Sequence, residues 1–178
     1  MENFSIIRMS EPKLLKTQNE IFEKVAELGA ILTHRFQGKE PVAICVLNSS
    51  FMFYSDLIRQ IDLDLTCEFL GVSSYKESQV SSGAVKVTLD LDISLEGKDV
   101  ILIEDLIDSG LTMNYLIENF KSRKPNSLMT VALLQKTECL KVPCKVDLVG
   151  FEVGPEFIVG YGIDSAGAFR NLPYLATV

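Results

Sequence analysis

Two adjacent carboxylates stand at the end of a short apolar run in the middle of the chain. The run 100–103 predicts a buried strand, and Glu104 and Asp105 follow it directly. Unpaired charge is costly to bury, so a purely structural role does not account for this pair. Carboxylates do not hold a phosphate themselves, but they suit sugar hydroxyls, or a Mg²⁺ that carries phosphates. The pair therefore indicates a binding site for one of these two groups.

A second group of polar residues follows within a few positions, ahead of a predicted helix. It contains Asp108, Ser109, Gly110 and Thr112. Gly110 permits a tight turn, in which backbone N–H groups and the two hydroxyls can converge on one anion at the helix N-terminus. The spacing matches neither G-x-G-x-x-G nor G-x-x-x-x-G-K-[ST]. An ordinary helix N-cap is the alternative interpretation, but it leaves the preceding carboxylate pair unexplained. We therefore favour a phosphate-binding loop.

The chain offers little material for other kinds of catalysis. His34 is its only histidine and lies in a predicted helix, which leaves almost no material for a Ser-His-Asp triad or a multi-histidine metal site. The 4 cysteines are spread singly, and the C-x4-C pair Cys139 and Cys144 lacks the further ligands of a zinc site. Proton transfer must then use a carboxylate, a lysine or a tyrosine.

Composition and charge narrow the function classes. With 178 residues, of which 47% are hydrophobic, the chain suits one globular domain. Its net charge of −7 argues against nucleic-acid or anionic-membrane partners. On its face the charge also argues against a small polyanionic substrate, which conflicts with the phosphate-binding loop. No apolar stretch approaches the roughly 20 residues of a spanning helix, and the N-terminus lacks signal-peptide features. We expect a cytoplasmic protein.

Apolar patterns then predict the elements that position these residues. Helices are predicted over 19–36, 51–61 and 112–120, and strands over 42–47, 66–72, 85–89, 100–103, 128–134, 146–151 and 157–163. Strands that alternate with helices indicate an α/β fold with a largely parallel sheet. Ligands of such sheets bind beyond the carboxyl ends of the strands. The polar stretch 73–83 predicts a mobile loop over the site, with an ordinary hairpin connection as the alternative.

Three stretches of the chain resemble one known family. The segment 101–112 is similar to the phosphoribosyl-diphosphate (PRPP) signature of type I phosphoribosyltransferases. The runs 149–164 and 169–174 resemble the hypoxanthine-guanine branch of that family, and 72–75 with 81–83 resembles the mobile loop of that branch. The likeness extends from about residue 41 to the end of the chain.

The resemblance implies a fold and a domain organisation. The fold is a type I phosphoribosyltransferase-like α/β structure, whose largely parallel twisted sheet is flanked by helices. Residues 1–178 then form one domain with a core over about 41–150. A small purine-binding hood is expected from about 151–178 together with the N-terminal segment.

The resemblance also implies an activity in purine salvage. This activity is a Mg²⁺-dependent transfer of phosphoribosyl from PRPP to hypoxanthine or guanine, which gives IMP or GMP and pyrophosphate. Family members commonly form dimers or tetramers, so a homodimer or homotetramer is expected. One alternative is a nucleotide-sensing regulator of the same fold, which the absence of a helix-turn-helix pattern and of a basic stripe disfavours. The other is a weakened paralogue with an altered pyrophosphate loop.

Residue roles carry over from the family position by position. Ribose and 5′-phosphate binding falls to Glu104, Asp105, Asp108, Ser109, Gly110, Leu111 and Thr112, with Asp108 as the general acid/base near purine N7. Purine binding falls to Lys136, Phe157, Ile158 and Asp164, where Lys136 contacts the 6-oxo group and Phe157 stacks on the base. Metal binding falls to Glu104, Asp105 and Asp164, and pyrophosphate binding to Asn48, Ser49 and Arg170. Ser74 and Tyr75 belong to the loop that closes over the reacting centre.

The departures from the family pattern all concern pyrophosphate. Asn48 and Ser49 stand where the family usually has Lys-Gly. Ser165 replaces a common tyrosine and Gly167 a common acidic residue, beside the pyrophosphate arginine. The loss of a positive charge at position 48 motivates the weakened-paralogue alternative.

Overall fold

A six-stranded sheet forms the centre of the molecule. The computed structural model describes residues 11–74 and 85–178. The strands of this sheet are β2 (Val42–Leu47), β3 (Thr66–Ser74), β4 (Val85–Leu89), β5 (Asp99–Ile107), β6 (Ser127–Gln135) and β7 (Leu148–Glu152). They lie in the order β4-β3-β2-β5-β6-β7, and only β4 runs antiparallel to its neighbour. The predicted largely parallel sheet is confirmed.

Helices cover both faces of this sheet. The helices are α1 (Gln18–Arg35), α2 (Phe51–Ile58) and α3 (Leu111–Ser122). The core residues of α1 and α2 pack with one set of alternating strand residues, including Ala43 and Ile101. Those of α3 pack with the other set, including Ile44 and Leu102. This division follows from the two-residue period of a strand, which sends successive side chains to opposite faces.

A small antiparallel sheet joins the two ends of the described chain. It consists of β1 (Lys13–Lys16), β8 (Ile158–Val159) and β9 (Leu175–Thr177), in the order β1-β9-β8. A strand from the N-terminal part therefore pairs with the C-terminal strand. We call this small sheet, together with the rest of segment 151–178, the hood, and its role in purine binding stays a prediction.

Two predicted strands differ from the observed ones. β5 continues to Ile107 instead of ending at residue 103, because its pairing with β6 extends as far as Ile107 opposite Gln135. The carboxylates of Glu104 and Asp105 thus lie within a strand. The strand predicted over 157–163 is reduced to β8, since the chain turns at Gly160 and Gly162, whose φ angles are +97° and +100°.

The predicted mobile loop over 73–83 lies almost wholly outside the described residues. Ser73 and Ser74 end β3, and Tyr75 belongs to the part that is not described. Among the helices of residues 11–74 and 85–178, none is long and apolar enough to cross a membrane.

Candidate active site

Asp105 is the most firmly held side chain of the candidate site. It lies near the carboxyl end of β5 and is only 3% exposed. Its Oδ1 accepts hydrogen bonds from Ser49 Oγ at 2.9 Å and from Ser50 Oγ at 3.0 Å. Its backbone N–H donates to Ser50 Oγ at 3.0 Å. The turn after β2 thus carries the partners that compensate for burial of this carboxylate.

Glu104, the preceding residue on β5, is less well satisfied. Its side chain is partly exposed as a whole, but Oε2 is buried and has no hydrogen-bond partner among the described residues. Burial and, second, the neighbouring Asp105 carboxylate raise the pKa of Glu104 well above its ordinary value. A buried carboxylate oxygen without a donor suits a cation or a ligand hydroxyl.

The loop between β5 and α3 has the geometry of an anion-binding turn. Gly110 is the N-cap of α3 with φ +79°, and no side chain caps the helix there. The 3.5 Å separation of Leu111 N and Ser109 Oγ is at the limit for a hydrogen bond. A cavity of about 120 Å³ lies at this turn. Its lining contains Glu104, Asp108, Ser109, Gly110 and Thr112 together with three apolar residues. The alternative of a side-chain N-cap is wrong, and the start of α3 lines this cavity through Gly110, Thr112 and Met113.

Asp108 and Lys136 face each other at the ends of two neighbouring strands. Lys136 follows β6, and its backbone N–H donates to Ile107 O at 2.9 Å. Its Nζ lies 4.0 Å from Asp108 Oδ1. The Lys136 side chain is only 7% exposed, whereas that of Asp108 is 61% exposed. The structure thus brings a buried ammonium and an accessible carboxylate together beside the turn between β5 and α3.

Phe157 lies on the chain that returns from the central sheet to the hood. The backbone N–H of Val153 donates to Gln135 O at 3.0 Å, which places the start of this return beside Lys136. Phe157 is 54% exposed, while Ile158 is 2% exposed. The ring is therefore not a core residue, which was the competing interpretation of an aromatic in an apolar strand.

Asp164 and Arg170 pair with each other. Arg170 Nη2 lies 2.8 Å from Asp164 Oδ1, and Arg170 Nη1 donates to Gly162 O at 2.6 Å. Within the described residues, no group of three or more His, Cys, Asp or Glu side chains is arranged to hold a metal ion. Asp164 as a metal ligand beside Glu104 and Asp105 therefore stays a prediction.

The turn after β2 touches the hood. The peptide bond between Leu47 and Asn48 is cis. A Cβ added at Gly162 would meet Ser49 O, so the backbones pack in direct contact there. Asn48 is exposed. The predicted pyrophosphate residues Ser49 and Arg170 are thus both in contact with Gly162.

Comparison with known proteins agrees with this geometry. A family model described as a phosphoribosyl transferase domain matches residues 13–166. The chain belongs to the phosphoribosyltransferase family.

Similar proteins from several organisms share most of the length of this phosphoribosyltransferase. A hypoxanthine-guanine phosphoribosyltransferase of Bacillus subtilis (strain 168) is 51% identical over 166 residues, which cover 93% of this chain and 92% of that protein. One from Dictyostelium discoideum is 45% identical, with 92% and 93% covered. A crystal structure of a hypoxanthine-guanine phosphoribosyltransferase from Bacillus anthracis has a TM-score of 0.90 at 45% identity, covering 94% of this chain and 99% of that one.

One contact residue of this phosphoribosyltransferase was not predicted from the sequence. Ser50 is fully buried and contacts Asp105 through both its hydrogen-bonding roles. In the sequence it stands at the start of a predicted helix, where a serine indicates an N-cap. Its hydrogen bond is to a residue 55 positions away, so nothing in the sequence around Ser50 indicates this contact.

A larger cavity lies away from these residues. It has a volume of about 730 Å³ and lies between α1, α2 and the segment 171–173. None of the predicted site residues lines it. The predicted site therefore does not coincide with this larger cavity.

The raised pKa of Glu104 gives a prediction about stability. The folded protein holds the Glu104 proton to higher pH than the unfolded chain does, so Glu104 makes the protein less stable as pH rises above about 4.5. Glu104→Gln removes this effect. We expect the variant to be more stable than wild type by about 1–3 kcal/mol at pH 8 and equally stable near pH 4. Urea unfolding across this range measures the difference. A difference in the free energy of unfolding that does not change with pH would contradict the raised pKa of Glu104.

Proposed function

We propose that this phosphoribosyltransferase acts in purine salvage, transferring phosphoribosyl from PRPP to hypoxanthine or guanine and releasing pyrophosphate. The observation that carries the proposal is the convergence at the strand ends. The Glu104–Asp105 pair, the turn at Gly110 and the facing Asp108 and Lys136 lie at the carboxyl ends of β5 and β6. The names of the similar proteins support the same activity.

Two groups of residues at the carboxyl ends of β5 and β6 account for binding of the sugar phosphate. The first-turn N–H groups of α3, with the hydroxyls of Ser109 and Thr112, are donors for the 5′-phosphate. Glu104 and Asp105 are acceptors for the ribose hydroxyls, which donate their hydrogens to carboxylates. The negatively charged side chains thus bind the sugar, and only neutral hydrogen-bond donors contact the phosphate.

Asp108 is positioned to move the proton. The attacking purine must lose a proton as its nitrogen bonds to the anomeric carbon, and an exposed carboxylate can accept it. Cleavage of the bond to pyrophosphate builds positive charge on the ribose, which the neighbouring carboxylates stabilise. Lys136, 4.0 Å from Asp108, keeps a positive charge beside this carboxylate.

Lys136 and Phe157 account for a purine with an oxo group. An ammonium donates hydrogen bonds and accepts none, so it binds a 6-oxo oxygen and rejects a 6-amino group. The exposed ring of Phe157 offers a face for stacking on the base. A buried lysine together with an exposed aromatic ring thus fits hypoxanthine or guanine and disfavours adenine.

Mg²⁺ fits the acidic pair of this site. Oε2 of Glu104, which has no hydrogen-bond partner in the described part of the chain, provides a ligand oxygen, and Mg²⁺ is commonly bound by one or two carboxylates together with substrate phosphates. When bound, it would neutralise the diphosphate of PRPP and stabilise the leaving pyrophosphate. Glu104 and Asp105 are the residues that would hold it, with Asp164 as a predicted further ligand.

Turnover by the purified protein tests the proposal and its main alternative. The protein is assayed with PRPP and Mg²⁺ against hypoxanthine, guanine, xanthine and adenine in turn, with formation of nucleotide as the measurement. We expect turnover of hypoxanthine or guanine and little of adenine. No turnover of any oxo-purine would favour the weakened paralogue, in which Asn48 replaces a positive charge. A cytoplasmic location and a homodimer or homotetramer remain predictions.

A further inference from the structure

We propose that the hydroxyls of Ser49 and Ser50 are positioning groups that fix the Asp105 carboxylate in the orientation that binds ribose. The inference rests on the proposed function, because it concerns the ribose-binding side of that site. Both serines lie in the turn between β2 and α2, whereas Asp105 lies on β5. The contact thus joins the predicted pyrophosphate loop to the predicted ribose-binding residues.

Ser50 makes a two-point contact with Asp105. Its hydroxyl accepts the backbone N–H of Asp105 and donates to Oδ1 of the same residue, both at 3.0 Å. A hydroxyl has a single proton, and Glu104 Oε1 lies further away, at 3.4 Å. The proton therefore goes to Asp105. Two bonds to the backbone and the side chain of one residue restrict the rotation of that side chain.

The position of Ser50 shows that this contact replaces an ordinary role. Ser50 is the N-cap residue of α2, where a serine hydroxyl usually accepts an N–H of its own helix. Here it makes no such cap bond. The side chain is fully buried, and its hydroxyl forms hydrogen bonds with Asp105 of β5 instead. At the start of α2, the Ser50 hydroxyl therefore makes hydrogen bonds to Asp105 instead of a capping bond to its own helix.

Ser49 adds a second donor and connects it to the hood. Its hydroxyl donates to Asp105 Oδ1 at 2.9 Å. Its backbone carbonyl packs against Gly162, which in turn accepts a hydrogen bond from Arg170. Because both serines use Oδ1, Oδ2 takes no part in these bonds and is the oxygen that would meet a ribose hydroxyl. The turn thereby sets the direction in which Asp105 presents Oδ2.

A pair of nucleotides separates positioning from a general structural role. Affinities for IMP and for its 2′,3′-dideoxy analogue are measured by calorimetry in EDTA, so that metal binding and turnover do not contribute. The proteins are wild type, Ser49→Ala, Ser50→Ala and the double variant. Each single variant should bind IMP several-fold more weakly, and the double variant about 10-fold or more. The reason is that Asp105 loses the charge-assisted hydrogen bonds that fix the orientation of its carboxylate. Affinity for the dideoxy analogue should stay within about twofold of wild type.

Several results would overturn the inference. Unchanged IMP affinity in the double variant would show that the serines do not position Asp105. An equal loss for both nucleotides would show a structural role alone. Ser49→Ala carries the same test if Ser50→Ala fails to fold, because Ser49 is only half-buried. A wild-type protein that binds neither nucleotide contradicts the proposed function itself, so the two failures are distinguishable.

Two further variants serve as controls. Ser49→Thr keeps the hydroxyl and should retain most of the IMP affinity, and a loss equal to that of Ser49→Ala would contradict the role of the hydroxyl. Ser55→Ala removes a hydroxyl from the same helix on the side that lines the 730 Å³ cavity. It should leave both affinities unchanged, and a loss there that matched Ser50→Ala would overturn the assignment to Asp105.

Discussion

Asp108→Asn is expected to lower kcat by about 10²–10⁴-fold, because asparagine cannot accept the proton that the purine loses. The substitution keeps the size of the side chain and its place at the turn before α3. Asp108 is exposed and makes no cap bond to that helix, and its ion pair with Lys136 is long, at 4.0 Å, so we expect the variant to fold. Affinity for IMP should therefore remain measurable, with steady-state kinetics and calorimetry as the two measurements.

The matched control is a carboxylate outside the site. Asp92 is also exposed and lies outside the predicted site. Asp92→Asn should leave kcat within about twofold of wild type, as ordinary surface substitutions do. If Asp108→Asn instead turned over at the wild-type rate, Asp108 would not be the acid/base. A loss of IMP binding as large as the loss of kcat would assign it to ligand binding.

The fold was predictable where side-chain patterns and backbone pairing agree. The continuous apolar runs in β2 and β5 and the apolar spacing along α1 are local signals, and the structure has these elements where they are predicted, with β5 extended to Ile107. The strand β1 was missed, since four residues of the type Lys-Leu-Leu-Lys carry no pattern of their own. Its pairing with β9, more than 150 residues along the chain, is what makes it a strand.

The site was predictable to the extent that its residues are neighbours in sequence. The segment from Glu104 to Thr112 holds the acidic pair and the turn predicted to bind phosphate, so residue types alone pointed to this part of the candidate site. The pairing of Asp164 with Arg170 and the contact of Ser50 with Asp105 depend on how strands and turns meet in three dimensions. Only the topology of the sheet supplies that information.

The net charge of −7 is compatible with an anionic substrate for a structural reason. Net charge acts on a polymer or a membrane because many phosphates must be neutralised at once. A single small metabolite interacts only with the charged and polar groups close to its binding site. In the proposed function, the backbone N–H groups after Gly110 and the buried Lys136 are the donors to the substrate, while the acidic pair binds sugar hydroxyls or a cation. The overall charge thus argues against a nucleic-acid or membrane partner and does not argue against a small anionic substrate.

Lys136→Gln is expected to lower the preference for oxo-purines over adenine by about 100-fold in kcat/KM. A glutamine amide both donates and accepts, so it tolerates a 6-amino group, whereas the ammonium offers only donors. Most of the change should be a loss for hypoxanthine, because a charge-assisted bond is worth about 1.5–3 kcal/mol more than none. Competition between the two bases at fixed PRPP measures the ratio directly.

The control for lost charge is Lys145→Gln, at an exposed position outside the site. This variant should keep the wild-type preference, since a distant exposed charge is screened by solvent and salt. Lys136 is buried, and its Nζ lies 4.0 Å from Asp108, so part of its loss could act through the acid/base. That route would reduce kcat equally for every purine and leave the ratio unchanged. A changed ratio therefore identifies contact with the 6-position of the base, and an unchanged one would contradict it.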